Sequence, residues 1–379
     1  MDGTTIADSA ANARGAEAPA VISCPFVTAA LHVAALAPFR LPLHPLAMSH
    51  SRGVLSPTET PAVVEHFRDG RFFNPGVPDH NFRQALAWMR NRRPGVWRKW
   101  IPSTPGPQPP ARVDGAALRV TLINHATVLL QTEGLNLLTD PVWSYRVSPV
   151  RFAGPERHRD PGLRFEDLPP IDAVLISHNH YDHLDVLTLR RIARTHSPAI
   201  FCPLGVAKML RRAGFREIYE LDWGGSQSWK HLGLHCVRAQ HFAARWPWDR
   251  NRTLWCGWVV ETAHGNLYFA GDSGFGDFFS TIGEEFGPIR LALLPIGAYE
   301  PEWFMGPVHM TPEQAIEVRE LVQAAVAVGI HYGTFALADD AETAPVERLQ
   351  RALQERCDQG RDDRDGFWVL PEGEGRMVP

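Results

Sequence analysis

Apolar and polar positions alternate in short blocks from Leu118 onward. Arg119 to Asn124, Thr127 to Gln131 and Leu135 to Thr139 are apolar runs of strand length with turn-length gaps between them. A further run, Ile171 to Ser177, is preceded by Pro169-Pro170 and stops abruptly at polar residues, which predicts a buried strand. Helical spacing follows. Val186, Leu189, Ile192 and Ala193 share a face between Asp185 and His196, with the acid at the start and arginines near the end. Ala199 to Cys202 then predicts a strand, Val206 to Ala213 a helix closed by Gly214, and Glu217 to Leu221 another strand.

The second half repeats this order. Ser226 to Lys230 and Leu232 to Gln240 are strand runs, and Leu254 to Glu261 with Asn266 to Ala270 predict a hairpin around His264-Gly265. Ile289 to Ile296 is a buried strand pattern. Thr311-Pro-Glu-Gln caps a helix reaching Gln323, Ala325 to Ile330 is a strand, Pro345 to Cys357 a helix, and Phe367 to Leu370 a last strand. Two sets of strands, each followed by helices, predict an α/β fold: a four-layer αβ/βα sandwich over residues 118–379.

Upstream the pattern dissolves. Residues 1–60 are small, apolar and proline-rich without a period, and little order is expected there. Residues 1–47 read either as a leader or as an extension ahead of a true start at Met48. Residues 61–117 predict an N-terminal arm with a short helix from Phe82 to Arg92 and a proline-rich linker from Pro102 to Pro110. Trp97 and Trp100 flank Arg98 and Lys99. The favoured reading packs this arm on the main domain; the alternative turns it to a membrane or substrate.

Composition narrows the classes. At 379 residues and 44% hydrophobic, the chain can bury a sizeable core. A formal net charge of −4 gives no basic field for nucleic acid. The five cysteines are scattered, with no CxxC pair, which suits free or buried thiols in a reducing compartment such as the cytoplasm. No stretch approaches the roughly twenty uninterrupted apolar residues of a spanning helix.

The 17 histidines change the picture most, because several stand in telling places. Directly after the Ile171 to Ser177 run comes His178-Asn-His-Tyr-Asp-His183. In extended backbone His178 and His180 point to the same side. Asp182 and His183 follow at the turn, so side chains can converge on a metal from two angles. Imidazole and carboxylate are ligands that borderline cations such as Zn²⁺ prefer. A single histidine there would suit a polar turn; four potential ligands in six positions point to metal. Asp140, His241, Asp272 and His331 likewise each follow an apolar strand pattern, and ligands at neighbouring strand ends make a rigid site.

The motif resembles the HxHxDH signature of the metallo-β-lactamase superfamily. Leu168 to Asp185, Ala270-Gly-Asp-Ser-Gly274, Pro295-Ile-Gly-Ala-Tyr-Glu-Pro301 with Trp303-Phe-Met305, and Ile330 to Leu337 together resemble the branch of N-acylphosphatidylethanolamine-hydrolysing phospholipase D. The resemblance spans roughly Gly70 to Ala338. It implies two zinc ions, one held by His178, His180 and His241, the other by Asp182, His183 and His331, with Asp272 bridging. His180 stands where di-iron relatives usually carry Glu, which suits zinc hydrolysis, although the ligand types also accept iron or manganese. It also implies a phosphodiester as substrate, cleaved by a metal-bridging hydroxide to N-acylethanolamine and phosphatidic acid at a membrane surface, and a homodimer.

Asp182 and Asp272 carry catalytic roles in this reading. His309, in Val-His-Met-Thr-Pro just ahead of a helix, would contact phosphate or assist the leaving group; otherwise it is a helix-start residue. Asp140 would support a ligand histidine, and His125 likewise unless it is a core histidine. Phe275, Tyr299, Trp303 and Phe304 are candidate substrate contacts in loops beyond strand ends. The rivals are a lactonase or other ester hydrolase of the same fold, a nuclease, and a non-catalytic, metal-stabilised membrane-binding protein.

Overall fold

A computed structural model describes residues 65–80, 82–361 and 364–379. The expectations for residues 1–60, a leader and the Met48 start among them, lie outside the described residues. The arm opens with a two-stranded hairpin, β1 (Phe67–Arg68) and β2 (Arg71–Phe72), followed by helix α1 (Phe82–Asn91). The first half then gives β3 (Leu118–Asn124), β4 (Thr127–Thr132), β5 (Leu135–Thr139), β6 (Ala173–Leu175), α2 (Val186–Thr195), β7 (Ala199–Pro203), α3 (Ala207–Ala213) and β8 (Ile218–Leu221). The second half gives β9 (Ser226–Trp229), β10 (Leu232–Val237), β11 (Gly257–Glu261), β12 (Asn266–Phe269), α4 (Phe278–Phe286) and β13 (Ile289–Pro295). It continues with α5 (Glu302–Met305), α6 (Pro312–Leu321), β14 (Ala324–Ile330), α7 (Ala344–Asp358), β15 (Phe367–Trp368) and β16 (Gly375–Val378).

These strands form two seven-stranded sheets, ordered β16-β3-β4-β5-β6-β7-β8 and β15-β14-β13-β12-β11-β10-β9. Residue alternation explains the layering. Leu137, Leu175 and Phe201 of one sheet face Trp258, Phe269 and Leu293 of the other across a shared core. Their chain neighbours Leu138, Val174 and Ile200 face the opposite way, onto Leu189 and Ile192 of α2 and Leu210 of α3. In the second sheet Ala292 and Leu294 pack outward on Phe279 of α4, Ile316 of α6 and Leu349 of α7. Strands covered on both faces read as unbroken apolar runs, and each fully buried Leu or Phe stabilises the fold by about 1.5–3 kcal/mol.

Three boundaries differ from the sequence pattern for physical reasons. The Ile171 to Ser177 run is laddered only at Ala173–Leu175. Beyond it the chain crosses to the other sheet, where Ser177 O accepts from Cys256 N at 2.9 Å and Ile176 O accepts from the Trp258 indole at 2.9 Å. β10 stops at Val237 because Arg238 to Gln240 peel toward the ligand cluster, where Gln240 N donates to Ser273 Oγ at 3.0 Å. Leu254 to Cys256 precede the strand that starts at Gly257, because Leu254 N donates to Leu204 O and Cys256 N to Ser177 O, both at 2.9 Å, across to the first half. The helix signals hold well. The Asp185 carboxylate accepts from Leu187 N at 3.0 Å at the start of α2, Gly214 closes α3 at φ 108°, and Thr311 and Gln314 form a capping box on α6.

Parallel pairing sets the position of the site. β5, β6 and β7 run parallel, as do β12, β13 and β14, so within each sheet their C-terminal ends open on one edge. Among the described residues no helix is long and apolar enough to cross a membrane.

Candidate metal centre

The strand ends bring Asp140, His178 to His183, His241, Asp272 and His331 together. All of these ligand candidates are buried. Two clusters share the space. In one, His178 Nε2 lies 2.8 Å and His241 Nε2 3.2 Å from His180 Nδ1. In the other, His183 Nε2 and His331 Nε2 lie 3.3 and 3.5 Å from Asp182 Oδ2. Asp272 Oδ2 stands between them. It is 3.1 and 3.0 Å from His183 Nε2 and His331 Nε2, and 3.9 and 3.7 Å from His178 Nε2 and His241 Nε2. One carboxylate oxygen therefore reaches four imidazoles from both clusters.

The donor set fits metal. Asp272 Oδ1 and the Nε2 atoms of His183 and His331 are buried without hydrogen-bond partners, a costly arrangement unless a cation completes it. Each cluster offers three or more ligand atoms within 4.8 Å of one another. Nitrogen and carboxylate oxygen are donors that suit borderline divalent cations such as zinc. Asp140 also falls within that distance of His178 and His183, but its oxygens are already taken up by Ser177 and His183, so we place it behind the ligands.

Electrostatics divide the two clusters. Burial pushes His178, His180 and His241 well below the ordinary imidazole value, so they stand neutral and ready to ligate. Burial also opposes charge on His183 and His331, but Asp272 and Asp182 outweigh it. They hold His183 well above its ordinary value and raise His331 to about 9. His331 therefore stabilises the metal-free fold fully below pH 6.5, and that contribution is lost as pH rises through about 9. A metal must displace these protons, so affinity falls as pH falls. Zinc binding at neutral pH is expected to release roughly two protons. Calorimetric titration in buffers of different ionisation enthalpy measures this, and a buffer-independent heat would contradict it.

The surrounding groups fix the ligands. Asp140 Oδ2 accepts from His183 Nδ1 at 2.6 Å, and Asp140 Oδ1 accepts from Ser177 N at 2.8 Å. Ser177 Oγ lies 2.9 Å from His178 Nδ1, so one buried pair orients a ligand of each cluster. Val308 O lies 2.9 Å from His241 Nδ1. His125 meets a carboxylate rather than a histidine: its Nε2 is 3.0 Å from Asp182 Oδ2. Burial and the neighbouring His331 lower His125 to about 3. His331 itself sits at φ 63°, a left-handed conformation held by His331 N donating to His125 O at 2.9 Å. Gly271 has φ 62°, and a Cβ there would stand 2.6 Å from Ser177 Cβ, so only glycine lets the Asp272 turn approach the motif.

The arm reaches the same place. Asn74 Nδ2 donates to His241 O at 2.7 Å, and Asn74 Oδ1 accepts from the Trp255 indole at 3.1 Å. No local pattern marks Asn74, because its partner is 167 residues away. Ser177 carried a signal that was legible, a hydroxyl directly ahead of the motif. Asn74→Ala is expected to weaken zinc at the His178, His180 and His241 cluster about ten-fold. A chelator competition titration tests this, and unchanged affinity would assign Asn74 to packing alone.

The aromatic candidates take different places. Phe275 packs on the outer core beside α4, and its carbonyl accepts from Gln240 Nε2 at 3.3 Å. Tyr299 is buried with the Arg348 guanidinium 4.8 Å from its ring centroid. Phe304 stacks between His80 and Trp88 of the arm, at 4.2 and 4.7 Å. Trp303 is half exposed and lines, with Trp88, Arg93 and Glu300, a surface cavity of about 350 Å³ that contains none of the ligands. His309 lies beside the ligands instead, its ring 5.0 Å from His241 and 5.2 Å from His331. Burial lowers it to about 4, against the pull of Asp272.

Residues 135–332 match the family described as Beta-lactamase superfamily domain. The chain is 41% identical over 256 residues to N-acyl-phosphatidylethanolamine-hydrolyzing phospholipase D 1 of Caenorhabditis elegans, covering 64% of this chain and 72% of that protein. It is 38% identical over 324 residues to an uncharacterized protein of Mycobacterium bovis, covering 83% and 86%. Among solved structures, Igni18, a metallo hydrolase from Ignicoccus hospitalis, superposes with a TM-score of 0.52 at 23% identity, covering 69% of this chain and 99% of that one. With two sheets between helices and a buried ligand set at their shared edge, the chain belongs to the metallo-β-lactamase superfamily of metal-dependent hydrolases.

Proposed function

We propose that the chain is a dizinc phosphodiesterase that cleaves N-acylphosphatidylethanolamine into N-acylethanolamine and phosphatidic acid, working peripherally at a membrane surface. The observation that carries the two-metal reading is the position of Asp272 Oδ2, within 3.9 Å of imidazoles from both clusters. The substrate follows from the likeness to the nematode phospholipase. His178, His180 and His241 would hold one ion, Asp182, His183 and His331 the other, with Asp272 between. Two ions there supply Lewis acidity and water ionised near neutral pH.

The chain's own groups do the rest. Asp182 faces His125, His183 and His331 with one oxygen, so it orients the attacking water more than it accepts a proton. Attack forms a bond from water oxygen to phosphorus and breaks the bond from phosphorus to the ethanolamide oxygen, which leaves with a proton. His309 is neutral at physiological pH, and its Nδ1 is buried without a partner. It is suited to donate a hydrogen bond to a phosphoryl oxygen or the departing oxygen. His309→Ala is expected to lower kcat/KM about a hundred-fold with zinc content unchanged. Unchanged kcat/KM would return His309 to the role of a helix-start residue.

The reading is tested by incubating zinc-loaded protein with N-acylphosphatidylethanolamine vesicles, a panel of acyl-lactones and bis(p-nitrophenyl) phosphate, with products identified by mass spectrometry. Release of N-acylethanolamine with phosphatidic acid supports it. Release of ring-opened acids alone rejects it in favour of a lactonase.

A further inference from the structure

We infer that the Trp246–Trp248 turn, fastened to the metal motif, is an interfacial wedge that seats the chain on a lipid surface, an inference that rests on the lipid reading proposed above. Trp246 and Trp248 are 44% and 61% exposed. Their rings lie face to face, 5.2 Å apart and 6° from parallel. Two large apolar side chains in water are unfavourable unless something covers them.

The turn is pre-ordered. Asp249 Oδ1 accepts from Arg245 N at 2.8 Å and from Trp246 N at 2.9 Å, Asp249 N donates back to Trp246 O at 3.2 Å, and Pro247 stiffens the tip. Below, Asn251 N donates to Ala243 O at 2.6 Å and closes the base of the loop. The indoles are thus presented on a fixed platform, and seating them elsewhere carries little ordering cost.

The platform is fastened to the metal motif. Arg245 Nη1 donates to Asn179 O and Leu184 O, both at 2.8 Å, and its guanidinium lies 3.8 Å from the centroid of the Tyr181 ring. The loop begins at Ala243, two residues after the ligand candidate His241. Other exposed apolar side chains belong to segments tied to the same motif. Leu187, 48% exposed, is in the first turn of α2. Phe152, 84% exposed beside the exposed Arg151, lies in a loop anchored to α2 by Ser144 N donating to Asp185 Oδ2 at 3.0 Å.

This chemistry fits lipid better than protein. Indole has an apolar body and one N–H donor, which suits the boundary between acyl chains and headgroups. Two indoles supply about 150–250 Å² each, well short of the roughly 800 Å² per partner of a stable protein interface.

The test uses the full zinc-loaded chain, vesicles of phosphatidylcholine with phosphatidylglycerol, and the double substitution W246A/W248A. The parent is expected to co-sediment with vesicles, and its tryptophan fluorescence to be quenched by brominated phosphatidylcholine. The double variant is expected to lose at least about ten-fold in vesicle partition and most of that quenching, and to turn over vesicle-borne lipid correspondingly more slowly. It should hydrolyse bis(p-nitrophenyl) phosphate as the parent does, and W246F/W248F should restore partition. Equal partition of parent and double variant would overturn the wedge. So would a change in sedimentation coefficient with vesicle partition unaltered, which would make the turn a contact between copies. A parent that seats on vesicles through these residues but releases no N-acylethanolamine would overturn the phosphodiesterase reading and leave the wedge standing.

Discussion

Asp272→Asn is expected to reduce phosphodiester hydrolysis by at least about a thousand-fold, equivalent to about 4 kcal/mol of barrier. The substitution keeps the shape of the side chain and removes its charge. Asp272 Oδ2 lies within 3.9 Å of an imidazole nitrogen of each of His178, His183, His241 and His331. On the proposed two-ion reading a neutral amide there leaves the cations less well balanced, so bound zinc, measured by mass spectrometry of the dialysed protein, should fall below the parent's content. His183 and His331 should also lose their upward pKa shifts, because Asp272 is the largest contributor holding their protons on. Retained activity with two zinc ions would remove Asp272 from the bridging position.

The second large effect is expected at Asp140, which touches no substrate. Its carboxylate is fully buried, with φ 30°, and accepts from Ser177 N, Ser177 Oγ and His183 Nδ1. Burial raises its pKa, and the contacts with His183 and Ser177 counter that rise. Asp140→Ala leaves Ser177 N without an acceptor and His183 free to rotate. We expect a loss of about 3 kcal/mol in stability of the metal-free chain in urea, and zinc affinity weakened about 10–100-fold. Ser177→Ala, which removes only one of the three contacts, should be milder on both measures. Parental affinity in Asp140→Ala would mean that the ligands are oriented by the strands alone.

The fold was legible where burial on both faces made the runs continuous. β13 and β14 are apolar nearly throughout, and the alternation within them places Leu293 in the shared core and Leu294 under the helices. Short elements carried no such signal. β16 is Gly-Arg-Met-Val, an edge strand recognisable only through its antiparallel pairing with β3. α4, Phe278–Phe286, opens on two aromatic residues followed by Ser280 and Thr281 and begins without a side-chain cap. Strand ends near the centre were overextended because the chain leaves each ladder to reach the ligands, a tertiary demand that no local pattern records.

The cluster of candidate ligands was legible because each of its members follows an apolar strand with a residue that water would otherwise have to solvate. Their supports were legible only in part: Asp140 stood out at a strand end, Asn74 did not, and the partner of His125 is a carboxylate rather than a histidine. Asn74 is joined to His241, and His125 to Asp182, across sequence separations of 167 and 57. The aromatic candidates took places that their composition did not show. Tyr299 and Phe304 have the composition of a lipid cleft, yet one lies beneath Arg348 and the other is stacked on His80 and Trp88 of the arm. The exposed aromatic pair is instead at Trp246 and Trp248, one turn beyond a ligand.

The most direct measurement is hydrolysis of N-acylphosphatidylethanolamine by the zinc-loaded chain in heavy-oxygen water, with the label located by mass spectrometry. Attack at phosphorus predicts one labelled oxygen in phosphatidic acid and none in N-acylethanolamine. Label in a released fatty acid, with the phosphodiester intact, would contradict the account and make the chain a carboxylic-ester or amide hydrolase on the same scaffold.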